Sequence, residues 1–75
     1  MLETHRIDLQ IINAIESIGD GATIPEIHRR INETGADPLS IDAVKRHLPG
    51  LGRLCRVRGV QSFRDERLVT VWVTE

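Results

Sequence analysis

The chain is predicted to fold as an α+β domain in which a three-helix bundle is followed by a β-hairpin. Three observations carry this prediction. The apolar residues change period once, near residue 55, from helical spacing to alternation. All nine Ile lie at or before residue 41, and all six Val lie after it. The length of 75 residues, with nine Ile, seven Leu and six Val, suits one domain with one small core.

The first helix is expected over about residues 4–18, where Ile7, Ile11, Ala14, Ile15 and Ile18 recur on one face and Gly19 follows as a C-terminal cap. Asp20-Gly21 reads as a turn. Thr23-Ile24-Pro25-Glu26 then has the form of a capping box, with Thr23 before the helix, Glu26 at its third position and Pro25 in its first turn. The second helix is expected over about 24–33, with Ile24, Ile27 and Ile31 inward. Gly35-Ala36-Asp37-Pro38 breaks the pattern. Ser40 can cap a third helix over about 41–48, on which Ile41, Val44 and Leu48 share a face that Leu51 extends. Asp42 falls in its first turn, where the helix dipole favours a carboxylate. Pro49-Gly50 is expected to end this helix near His47 or to kink it there.

The hairpin is expected over about 55–74. Leu68-Val69-Thr70-Val71-Trp72-Val73-Thr74 is β-branched and alternating, and Arg64-Asp65-Glu66-Arg67 supplies the turn. A two-residue turn at Asp65-Glu66 sets Gly59 opposite Trp72, where a large ring can cover a residue without a side chain.

The net charge of −1 averages two unlike halves. Met1 to Asp42 holds three basic and eight acidic residues, and Lys45 to Glu75 holds seven basic and three acidic. Between Lys45 and Arg64 there are six basic residues and no acid. Such segregation gives the domain a positive end, the electrostatic footprint of a nucleic-acid partner. On helical geometry Arg46 points away from the side defined by Ile41, Val44 and Leu48, flanked by Asp42 and Ala43, with Lys45 at the margin. One long bidentate donor, a small neighbour that permits close approach and a cation for phosphate are what a groove-facing helix needs. Asp42 can accept from a cytosine amine or, at i,i+4, pair with Arg46 and orient it.

Thr23-Ile24-Pro25-Glu26-Ile27, then Ser40-Ile41-Asp42-Ala43-Val44-Lys45-Arg46-His47-Leu48, then Leu51 and Leu54 leading into a basic strand, resemble a winged helix-turn-helix domain over nearly the whole chain. The resemblance lies at the level of the fold and points to no subfamily. It implies a sequence-specific, double-stranded DNA-binding protein, a small transcriptional regulator, with the third helix in the major groove and the hairpin wing on the backbone or minor groove. The residues expected at DNA are Ser40, Asp42, Ala43, Lys45, Arg46, Arg53, Arg56, Arg58, Arg64 and Arg67. Arg53, Arg56 and Arg58 would form a ridge facing phosphate, and Arg64 and Arg67 would mark the wing tip. Two departures bear on docking: the Gly35 to Leu39 linker is longer than a tight helix-turn-helix turn, and Pro49-Gly50 lies where the third helix usually continues.

Other functions find less support. His5, His28 and His47 are not in ligand spacing and no catalytic set assembles, so neither an enzyme, a metal site nor a cofactor is expected. No small-molecule ligand is suggested. Phe63 and Trp72 are the only aromatics, too few for a stacking platform. The single Cys55 excludes a disulfide framework, and a soluble, cytoplasmic protein with no membrane association is expected. Cys55 has two readings, a redox sensor activated by neighbouring arginines or a buried strand residue. Leu2, Leu9 and Ile12 form a second apolar stripe on the first helix, either sandwiched in the core or forming a homodimer seam. The alternative function is a winged-helix protein–protein interaction module of a larger assembly, which the acidic N-terminal half would suit.

Overall fold

A computed structural model describes the backbone of residues 2–34 and 38–74, and side chains within residues 6–33 and 38–74. Helix α1 spans Leu2–Ile18, α2 Ile24–Thr34 and α3 Ile41–Arg53, and strands β1, Val57–Arg64, and β2, Arg67–Thr74, form an antiparallel hairpin. The fold is a three-helix bundle followed by a wing.

α1 buries Ile11, Ile12, Ala14 and Ile15, with Ile7 and Ile18 half-covered. Its inward arc is wide because α1 touches three elements, α2, α3 and β2. Ile12, 8% exposed, is therefore core and not part of an exposed dimer seam; Leu9 stands at 38%, and the Leu2 side chain lies outside those described. Gly19 closes α1 with its N–H on the Ile15 carbonyl at 3.1 Å.

Between α1 and α2 the chain makes a single-residue strand that the sequence reading missed. Ala22 bridges Trp72 in antiparallel fashion, donating to the Trp72 carbonyl at 3.0 Å and accepting from its N–H at 2.8 Å. Gly21 is what allows this approach. It has φ +87, and a Cβ there would lie 2.9 Å from Val71 Cγ2.

The capping box on α2 forms as expected: the Thr23 N–H donates to Glu26 Oε1 at 2.9 Å, and the Glu26 N–H to Thr23 Oγ1 at 3.4 Å. Near the far end, the Asn32 side chain accepts from the Leu39 N–H at 3.1 Å and donates to the Leu39 carbonyl at 3.4 Å. One side-chain amide thus ties the approach to α3 onto α2. Ser40 caps α3, its Oγ accepting from the Ala43 N–H at 3.2 Å.

α3 does not stop at residue 48. It runs through Pro49 to Arg53. Proline removes one helical hydrogen bond and crowds the preceding turn, yet Pro49 faces solvent while Leu51, one turn beyond Leu48 and two beyond Val44 on the same stripe, is 1% exposed. Burying Leu51 against the core offsets the cost of the proline. The helix then ends in a Schellman motif, with the Cys55 N–H on the Gly52 carbonyl and the Arg56 N–H on the Leu51 carbonyl, both at 3.0 Å. Cys55 takes the left-handed position, φ 58, that glycine usually fills. It is exposed, so the expectation of a buried strand cysteine is corrected. The hairpin accordingly begins at Val57 rather than residue 55.

Eight consecutive pairs join β1 to β2, from Val57–Thr74 to Arg64–Arg67, with no bulge. Asp65 and Glu66, with φ 52 and 63, make the two-residue turn whose twist matches the strands. Gly59 pairs with Trp72 as expected, and a Cβ on Gly59 would lie 3.3 Å from Trp72 Cζ3.

Candidate nucleic-acid interface

The outer face of α3 follows from its buried one. With Val44, Leu48 and Leu51 in the core, Asp42, Lys45, Arg46, Pro49 and Arg53 are exposed, and Ala43 is half-buried. These exposed positions recur every three or four residues, which places them in a stripe along one side. The chain leaves the end of that helix through Arg56 and Arg58, both also exposed. Lys45, Arg46, Arg53, Arg56 and Arg58 thus follow one another with no carboxylate between them. Among the described residues no ion pair joins Asp42 to Arg46, so the orienting pair expected at that spacing does not form.

Two other expected contacts are engaged within the fold. Ser40 Oγ is taken up in capping α3. Arg64, assigned from sequence to the wing tip, turns onto α2 instead. Its Nη1 lies 3.0 and 2.8 Å from the two carboxylate oxygens of Glu26, and its Nη2 donates to the Gly21 carbonyl at 2.9 Å. The guanidinium is about a third exposed and the carboxylate slightly more. Glu26 is held below its ordinary pKa, first by the Thr23 N–H; burial pushes the other way, and Arg64 adds to the lowering. The turn beyond Arg64 carries Asp65 and Glu66, both exposed, beside the exposed Arg67. The wing's positive charge is therefore concentrated at its base, in Arg56 and Arg58, rather than at its tip.

His47 is engaged as well. Its Nδ1–H donates to Asp8 Oδ1 at 3.1 Å, with both side chains about one-fifth exposed, and this bond ties α3 to α1 behind the basic stripe. His28 accepts from Asn32 Nδ2 at 3.0 Å. The Arg64–Glu26, His47–Asp8 and Asn32–Leu39 contacts join residues 38, 39 and 7 positions apart. None leaves a periodic or spacing signal in the chain.

A cleft of about 650 Å³ lies between the start of α2 and the hairpin, lined by apolar Ile24, Pro25, Val69 and Trp72 among others, and no residue of α3 borders it. Among the described residues no three His, Cys, Asp or Glu are grouped to hold a metal ion. No described helix is long and apolar enough to cross a membrane. The order of three helices and an antiparallel two-strand hairpin is compatible with a winged-helix topology. Comparison with protein-family models, curated proteins and solved structures returns no match to this chain.

Proposed function

We propose that this chain is a non-enzymatic, double-stranded DNA-binding protein that presents α3 to the major groove. One observation carries the reading: five exposed cations, Lys45, Arg46, Arg53, Arg56 and Arg58, run from α3 into the base of the wing without an intervening acid. Phosphate neutralisation by such a line supplies affinity, while a helix that fits the groove supplies register. Arg46 is the residue for a base edge, most naturally guanine O6 and N7, because it stands opposite the buried stripe and carries a bidentate fork. Lys45, Arg53, Arg56 and Arg58 serve the backbone. Arg64 leaves this set, since Glu26 already holds it, and Arg67 retains a phosphate role reduced by the neighbouring Asp65 and Glu66. A role in transcription regulation in the cytoplasm is the cellular setting that fits such a domain.

The test is a fluorescence-anisotropy titration of mixed-sequence duplex over a range of salt. Four or five neutralised phosphates give a slope of log K against log salt of about −4. No binding at about 50 mM salt, where non-specific affinity is strongest, would move the reading to a protein-docking module.

A further inference from the structure

The outer edge of β1 is open. Its partner β2 is bonded on both sides, to β1 and, at Trp72, to Ala22. Both backbone groups of Trp72 go to Ala22, so Gly59–Trp72 is a non-hydrogen-bonded pair and Gly59 turns its own N–H and C=O away from β2. The alternation of an antiparallel ladder extends this to Gln61 and Phe63. Among the described residues no backbone hydrogen bond to these three comes from outside the hairpin. The strand has eight residues, no proline and no bulge, and residues 59–63 carry no charge. Edge strands usually resist pairing by just those missing features. At the same level, Phe63 is 76% exposed and its cross-strand partner Leu68 is 60% exposed.

We propose that this edge pairs antiparallel with the same edge of a second copy, about a twofold axis at Gln61. Gly59, Gln61 and Phe63 then face Phe63, Gln61 and Gly59 of the second copy, and their outward amides and carbonyls satisfy one another in about six hydrogen bonds. Register is selected by the side chains. Phe63 lies opposite a glycine that Thr70 and Trp72 of its own hairpin already cover, with Thr70 Cγ2 and Trp72 Cζ3 3.2 and 3.3 Å from where a Gly59 Cβ would be, so with no Cβ in the way the Phe63 ring reaches the Trp72 ring. Moving the axis by one residue sets Phe63 opposite Val57 or Gln61, whose side chains stand between it and the Trp72 ring. Phe63, Gly59, Trp72 and Leu68 share one face of the hairpin by alternation, so each copy supplies both a Phe63 ring and the Trp72 ring that receives it.

The contact is small. An aromatic side chain buries about 150–250 Å², and a strand edge with one such anchor stays well below the roughly 800 Å² per partner of a standard interface. Association is accordingly weak, with a dissociation constant on the order of 100 µM. Arg58 faces Arg64 of the second copy at the rim, and Glu26 offsets much of the Arg64 charge. The remaining repulsion is screened by salt, so self-association strengthens with salt whereas duplex binding weakens. This inference does not depend on DNA binding.

Sedimentation of the full chain between about 10 µM and 1 mM, at about 0.1 and 0.5 M salt, tests it. The average mass is expected to climb toward the dimer with concentration and to climb further at the higher salt. Gln61→Pro removes an outward N–H, no backbone hydrogen bond of the hairpin, and one exposed side-chain bond, from Gln61 Nε2 to Thr70 Oγ1 at 3.2 Å, so it should remain folded by circular dichroism and stay monomeric throughout. Phe63→Thr keeps the strand and should weaken association at least tenfold. A wild-type chain monomeric at 1 mM, or a folded Gln61→Pro that associates like the wild type, overturns the proposal. Should Gln61→Pro unfold, unchanged association of Phe63→Thr overturns it equally.

Discussion

Arg64→Ala separates a structural arginine from a phosphate ligand. Arg64 makes a two-pronged contact with Glu26 at 2.8 and 3.0 Å and a third bond to the Gly21 carbonyl at 2.9 Å. An exposed ion pair contributes up to about 1 kcal/mol, and a charged donor on a carbonyl contributes on the order of another. Both ends are about one-third exposed, so solvent screening keeps the loss at about 1–2 kcal/mol. The half-buried Trp72, the only tryptophan, reports unfolding of the hairpin. With a urea slope of about 1 kcal/mol/M for a domain this size, the midpoint should fall by about 1–2 M. Glu26→Ala costs more, because it also opens the capping box with Thr23. Only the double-mutant cycle isolates the pair, at about 1 kcal/mol of coupling.

Acid adds a second readout. A carboxylate whose pKa is lower in the folded state stabilises fully above its unfolded value and loses that contribution as pH falls through the folded one. The Glu26 contribution is thus complete at neutral pH and fades as pH drops below the ordinary value of 4.5. Arg64→Ala should lessen this loss without abolishing it, since the Thr23 N–H remains. Unchanged stability combined with weaker duplex binding and a shallower salt slope would refute the assignment and return Arg64 to the DNA surface.

Cys55→Gly should stabilise the domain by about 1 kcal/mol, because a side chain at φ 58 closes the Schellman motif where glycine is free of strain; a rise of about 4–8 °C in Tm checks it. Gly21→Ala should do the opposite, losing more than about 2 kcal/mol through a strained φ and a Cβ that meets Val71, read as a lower urea midpoint. Leu51→Ala should cost about 2–5 kcal/mol, confirming that the helix must pass Pro49 to reach the core, whereas Leu54→Ala, 67% exposed, should cost little in the same unfolding assay.

The elements were legible where their causes are local. The Thr23/Glu26 box, the Ser40 cap, the Asp65-Glu66 turn and the change of apolar period each depend on a few neighbouring residues, and the Gly59–Trp72 register follows from the turn alone. Local signals mislead where distant packing decides. Pro49 reads as a stop by its own chemistry, but the burial of Leu51 outweighs it. Ile12 reads as facing away from the core only if α1 has neighbours on one side, and it has three. Cys55 reads as buried by residue type, while its place in the helix terminator puts it in solvent. At the candidate interface, charge segregation points to the cations of α3, and Lys45, Arg46 and Arg53 are exposed. It could not show that Arg64 is turned onto α2, because the partner that holds it lies 38 residues away.

The central claim, that α3 reads sequence while the base of the wing holds backbone, is tested most directly by measuring one ratio: affinity for a selected duplex over a scrambled one. Arg46→Ala should lower affinity for the selected duplex by about 1–3 kcal/mol and shrink the ratio toward one. Arg58→Ala should weaken both duplexes alike, leave the ratio unchanged and reduce the salt slope by about one. If the two variants lower both affinities equally and keep the ratio intact, α3 does not read the groove and the account is wrong.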